Sequence, residues 1–136
     1  MEGSEDRVGY WITPPEFMEN LNREFGFDFD PCPYPRPPGW DGLKEEWGRV
    51  NYVNPPFAGA QRKGVTFWVK KAIAESEKGR TSVLLLPCDR WFHYLARAGA
   101  EFRQPPRLRF LDPEGRPSPN ESRSLMLAIV KGRRVA

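Results

Sequence analysis

This 136-residue chain predicts an α/β domain, and three observations carry that expectation. Strand-like and helix-like periodicities alternate through its first two thirds, which implies strands joined through covering helices in a mostly parallel sheet. The run at 82–87 is continuously apolar, as in a strand buried on both faces. Two further strand patterns, 107–111 and 124–130, flank a loop rich in Pro, Gly, Asp and Ser, which predicts a C-terminal antiparallel hairpin at one side of the sheet.

The elements follow in order. Residues 1–9 read as a flexible lead-in, 10–131 as one domain and 132–136 as a basic tail. Thr13-Pro14-Pro15-Glu16 predicts a helix start, with Thr13 as N-cap and prolines tolerated in the first turn. Phe17, Leu21 and Phe25 then lie on one stripe, and Gly26 ends the helix. Phe27-Asp28-Phe29-Asp30 alternates like a short strand. The proline-rich stretch after it, 31–39, fits neither a helix nor a central strand and must be a loop. Residues 49–53 form the next strand, halted by Asn54-Pro55-Pro56. A helix over 65–78 carries Val65, Trp68, Val69, Ala72 and Ile73 at helical spacing, with Gly79 after it. Trp91, Phe92, Leu95 and Ala96 predict a further helix before Gly99.

Composition narrows the function classes. At 39% hydrophobic and 29% charged residues, the chain is an ordinary globular domain. No stretch reaches the ~18 apolar residues of a membrane span, so no membrane partner is expected. The acidic, polar N-terminus matches no secretion or transit signal, which places the expected compartment in the cytoplasm of a bacterial, archaeal or phage-infected host cell. Cys32 and Cys88 have no metal-ligand spacing; they read as buried or half-buried free thiols, and no metal is expected. A net charge of +3 permits a nucleic-acid partner. Acidic residues crowd the first 50 positions, and Arg and Lys dominate the last third.

The chemistry concentrates at Asn54-Pro55-Pro56-Phe57. Ligands of open α/β sheets bind at the carboxyl ends of strands, where this tetrapeptide stands. A planar amine is a poor nucleophile because its lone pair is delocalised. Two acceptors on its N–H bonds, the Asn54 side-chain oxygen and the Pro55 carbonyl, pull the nitrogen toward tetrahedral geometry. Pro56 restricts Pro55, so the carbonyl direction is set in advance. Phe57 offers a face for stacking a base, worth about 1–3 kcal/mol. A strand followed by a Pro-Pro turn would also explain the four residues, but Asp41-Gly42-Leu43 stands thirteen positions earlier, ahead of Trp47.

The ordered set Trp11-Ile12-Thr13-Pro14, Phe27 to Cys32, Asp41 to Leu43, Trp47, Asn54 to Phe57, Trp68, Leu84 to Pro87, Trp91-Phe92 and Arg107 to Phe110 resembles the phage-type Dam-like DNA N6-adenine methyltransferases over residues 10–130. The resemblance implies a reduced Rossmann-like methyltransferase sheet, S-adenosylmethionine as methyl donor and DNA as partner, with base flipping. It implies that Trp11, Thr13 and Pro14 cradle the donor. Asp30, with Pro31 and Cys32 beside it, is expected near the methionine amine, and Asp41 with Leu43 at the adenine amine. Asn54 to Phe57 would be catalytic, with Asn54 also touching the donor.

The glycine-rich turn of larger methyltransferases is replaced by Pro31 to Pro35. Only ten residues separate Asp30 from Asp41, so the strand whose acid holds the ribose hydroxyls is missing. A separate recognition domain is missing too, which implies short or relaxed sequence specificity. Arg62 and Lys63, in the loop after the tetrapeptide, and Arg107, Arg109 and Arg116 around the hairpin are candidate DNA contacts. Cytosine N4, RNA adenine or a protein glutamine amide would suit the same tetrapeptide, and a non-catalytic nucleic-acid-binding remnant is a further alternative. Monomer and homodimer are both open.

Overall fold

The computed structural model describes residues 12–33, 35–55, 64–112, 114–118 and 124–133. Its elements in chain order are α1 (Pro15–Phe25), β1 (Val50–Val53), α2 (Val65–Glu77), β2 (Thr81–Pro87), α3 (Phe92–Arg97), β3 (Glu101–Arg103) and β4 (Leu125–Val130). The four strands form one open sheet ordered β1-β2-β4-β3. β1 and β2 are parallel, whereas β4 runs antiparallel to both β2 and β3. Outside β1 the chain around Phe29 adds a short parallel bridge to Asn51, with Asp28 N donating to Val50 O (2.9 Å) and Tyr52 N to Phe29 O (3.1 Å).

The class is therefore α/β, but two expectations are corrected. The sheet is mixed rather than mostly parallel, and 107–111 does not pair with 124–130 as a hairpin. Instead β4 lies between β2 and β3, as its six consecutive buried residues require. Residues 107–111 join no strand of the sheet; among the described residues Leu111 bridges to Ile12 and to Pro117. Leu108 and Phe110 turn inward to cover the sheet while Arg107 and Arg109 face solvent. Their alternation is real, but it serves a covering segment.

Strand alternation divides the core into two layers. Val53, Leu84, Leu86, Met126, Ala128 and Val130 face α2 and α3, where Val65, Val69, Trp91 and Leu95 are buried against them. Tyr52, Val83, Leu85, Leu127 and Ile129 face the other way, toward Leu21 of α1 and the Leu108–Phe110 cover. Burying each such large side chain contributes about 1.5–3 kcal/mol.

α1 starts one residue later than the sequence predicts. Pro14 is its N-cap, with no side-chain cap bond, because the Thr13 hydroxyl is engaged elsewhere. Gly26 closes α1 at φ 66°, a left-handed conformation that places its N–H on Asn22 O at 2.8 Å.

The segment between Asp30 and β1 has no regular structure, so side chains hold it. Trp40 Nε1 donates to Pro31 O (2.9 Å) and Trp47 Nε1 to Gly42 O (2.8 Å). Gly42 lies so close to the Pro31 carbonyl that any Cβ there would collide with it. Trp47 and Trp68 stack with centroids 6.3 Å apart. The fully buried Glu75 of α2 accepts from Trp47 N (3.1 Å) and ion-pairs with Lys71, Lys78 and Arg80. Burial opposes its charge, but the Trp47 N–H and the Lys71 ammonium outweigh that and hold its carboxyl below the ordinary range.

Candidate functional site

β1, β2 and the Phe29 bridge are mutually parallel, so their carboxyl ends share one edge of the sheet. Asp30 stands at the end of the outer segment, and Asn54 and Pro55 at the end of β1. Thr13, delivered by the approach to α1, joins them there. Its Oγ1 lies 2.5 Å from the Tyr52 hydroxyl and accepts from Asn54 Nδ2 at 3.2 Å. Thr13 and Tyr52 are buried, and Asn54 is half-buried. One hydroxyl thus orients the Asn54 amide: its NH2 arm is directed at Thr13, which turns the Oδ1 arm away from that contact. Burial, and secondarily the nearby Asp30 charge, push the Tyr52 hydroxyl far above its ordinary range, so it stays a neutral hydrogen-bonding phenol.

Beside this network opens a cleft of about 620 Å³. That size suits a small-molecule site. Thr13, Tyr52 and the Phe27–Asp30 segment line one side, and Pro15, Met18, Glu19 and Asn22 of α1 the other. Asp30 is solvent-exposed on one side but crowded by protein on the others. Desolvation raises its carboxyl to about 6, against a hydrogen bond from Cys32 N (2.8 Å) that favours the charge. Cys32 is half-buried, and burial, then the Asp30 charge, push its thiol well up, making it an inert thiol rather than a nucleophile. Cys88 is exposed, contrary to the expectation that both thiols are at least half-buried.

The sequence-derived residues divide accordingly. The structure brings Thr13, Asp30 and Asn54 together at one edge. Pro14 caps α1, Pro31 is buried with its carbonyl on Trp40, and neither they nor Cys32 line the cleft. Asp41 Oδ1 accepts from Leu43 N (3.0 Å) in a local turn, and both residues lie outside the cleft lining. Trp11, Pro56, Phe57, Arg62 and Lys63 lie outside the described residues. Arg116 is held by Asp112 and Glu114, Arg109 donates to Ser118 O (2.9 Å), and Arg107 is exposed. Sequence reasoning missed Tyr52, Glu19 and Asn22. Tyr52 had a legible signal: a tyrosine on a buried strand face needs a partner for its hydroxyl.

Thr13→Val is expected to remove both contacts of this hydroxyl while keeping its shape. Leaving the Tyr52 hydroxyl and the Asn54 N–H without their partner should destabilise the fold by about 1–3 kcal/mol in urea denaturation, with Thr13→Ser restoring most of it.

Among the described residues no helix is long and apolar enough to cross a membrane, and no three His, Cys, Asp or Glu side chains gather as a metal site. No protein-family profile, curated protein or solved structure matches this chain.

Proposed function

We propose that the chain is an S-adenosylmethionine-dependent methyltransferase acting on adenine N6 in DNA. The observation that carries this reading is the Asn54 amide at the carboxyl end of β1, oriented by Thr13 beside a cleft that holds Asp30. The cleft chemistry fits the donor. A carboxylate on its wall complements the methionine ammonium, and Phe27, Phe29 and Met18 offer aromatic and apolar surface to its sulfonium and purine. Glu19 and Asn22 on the facing wall are the polar groups closest to the role of the missing ribose-binding acid. When bound, S-adenosylmethionine supplies an electrophilic methyl group on a sulfonium.

The chain's own groups supply orientation. Asn54 Oδ1 and the Pro55 carbonyl accept the two N–H bonds of the amine, drawing charge onto acceptors that need no reorganisation. Proline at 55 and at 56 limits the backbone freedom of that carbonyl. No strong base is needed, because the positively charged product amine sheds its proton to water. The chain order and register also support the reading: parallel strands end at the site, and a late reversed strand lies inside the sheet edge.

The test is to incubate DNA with labelled S-adenosylmethionine, digest to nucleosides and identify the labelled base. N6-methyladenine is expected; label in N4-methylcytosine, in RNA alone or in a protein glutamine would reassign the acceptor. Calorimetry with the donor separates an enzyme from a remnant that binds only nucleic acid.

Donor affinity should depend on pH through Asp30. Its carboxylate attracts the ammonium only when ionised, so affinity is full above about 6 and falls as pH drops through that value. Asp30→Asn should weaken binding at neutral pH and flatten the profile. A profile for the wild type that is flat between about pH 5 and 8 would remove Asp30 from the donor site.

A further inference from the structure

We infer that the outer face of α2 and α3 is a docking surface for a DNA strand, formed by Lys70, Arg90 and Arg97 around the exposed ring of Tyr94. The identity of the polyanion rests on the proposed function; the surface itself rests on geometry. Arg90, His93, Tyr94 and Arg97 recur at spacings of three and four, so they lie along one side of α3 and its leading turn. With Thr66 of α2 they enclose a shallow cleft of about 350 Å³. Lys70 crosses from α2 to place its ammonium 5.2 Å from the centre of the Tyr94 ring.

Charge and exposure both point outward. Most other cations in the described structure are spent on carboxylates: Arg80 on Glu46 and Glu75, Arg103 on Glu24 and Glu101, Arg116 on Asp112, Arg133 on Glu77. Among the described residues no carboxylate pairs with Lys70, Arg90 or Arg97. Tyr94 is 39% exposed, and Phe67, one helical turn before Lys70, is 61% exposed. Cations without a carboxylate partner, interleaved with exposed flat rings, match a strand of phosphates and bases: the cations meet the backbone, and the rings give stacking surfaces that do not depend on sequence.

Topology connects this surface to the site. α2 joins the carboxyl end of β1 to the start of the parallel β2, so its first turn lies at the edge that bears Asn54. α3 follows the carboxyl end of β2 and starts at the same edge. The surface therefore begins beside the proposed catalytic corner and leads away from it, where the strand flanking an extruded base would run. Arg107 and Arg109 stand on the opposite, α1 side of the sheet and belong to a different surface.

The test is fluorescence anisotropy of a labelled single-stranded DNA oligonucleotide over about 50–200 mM salt, with the intact chain and no methyl donor. The triple variant K70A/R90A/R97A is expected to bind at least about tenfold more weakly, with a salt dependence shallower by about 2 in log–log slope. The control R23A/K44A/R49A removes the same charge elsewhere and should stay within about threefold of wild type. Tyr94→Ala should weaken binding severalfold and leave the slope unchanged. If the triple variant is poorly folded by circular dichroism, the single exposed change Arg97→Glu replaces it, with a loss of at least about fivefold expected. Wild-type affinity in the patch variants, an equal loss in the control, or no oligonucleotide binding by the wild type would overturn the inference. Donor calorimetry keeps the two proposals apart. Patch-dependent DNA binding without donor binding would sink only the methyl-transfer reading, and donor binding without a patch effect would sink only this one.

Discussion

Asn54→Ala is expected to lower methyl transfer about 100- to 1,000-fold while leaving donor affinity within about threefold. The magnitude follows from losing one preorganised group aimed at developing charge. The asymmetry follows from the geometry. Asn54 reaches the site from the end of β1, whereas the cleft beside it is lined by Thr13, Tyr52, Asp30 and α1. Its Nδ2 contact with Thr13 fixes which arm of the amide serves as acceptor. Thr13→Val should therefore lower the rate as well, by about tenfold, because the amide remains but loses its orientation. A single-turnover assay with label transferred to DNA reads both effects. Undiminished transfer by Asn54→Ala would end the assignment of this residue, and a large fall in donor affinity would move it from the acceptor side to the donor side.

The elements legible in the sequence were those whose apolar pattern is decided by burial on a known period. α2 over Val65–Glu77, β2 over Thr81–Pro87 and β4 over Leu125–Val130 stand within a residue of the bounds their periodicity predicts. Pairing was less legible than existence. The run at 124–130 is as continuously apolar as that at 82–87, and the same reasoning about burial on both faces would have set it inside the sheet. The turn-rich loop before it argued for a hairpin instead, and local turn chemistry lost to the burial of a whole strand. β3 has no legible signal because three residues, two of them charged, carry no period; its antiparallel pairing with β4 holds it, and Arg103 adds paired bonds of 2.8 Å to Glu24.

The site shows the same division. Asn54 stands out in the sequence because it ends a strand before Pro-Pro, whereas only the resemblance singles out Asp30. The local context of Thr13 predicts a helix cap, whereas two partners about 40 residues away along the chain claim its hydroxyl. The resemblance alone puts Asp41 at the donor, and in the structure its carboxylate closes a turn on Leu43. Contacts made across the sheet have no local signature, so a sequence can nominate a polar residue without saying which of two hydrogen-bonding tasks it performs.

Glu75 is the strongest case of such a contact, and Glu75→Ala is expected to cost about 2–3 kcal/mol, or roughly 8 °C in Tm. Its carboxylate is fully buried, and it ties the irregular Trp47 segment to α2 and, through Arg80, to the start of β2. Removing it strands the Trp47 N–H and leaves Lys71, Lys78 and Arg80 crowded without their shared anion. Those cations keep partial access to water, which is why the loss stays below the ~3–5 kcal/mol typical of a fully sealed broken pair. The sign of the pH dependence follows from the lowered carboxyl. A group ionised more readily in the folded than in the unfolded chain stabilises the fold above its ordinary value of 4.5 and loses that contribution as pH falls through the folded value. The gap between wild type and Glu75→Ala in urea midpoints should therefore be widest near neutrality and close in acid. Glu75→Gln should fall between them at neutral pH, because it keeps an acceptor for Trp47 N and loses the charge. A gap that is unchanged down to about pH 3 would show that Glu75 acts through packing alone, and Glu75→Gln would then match the wild type.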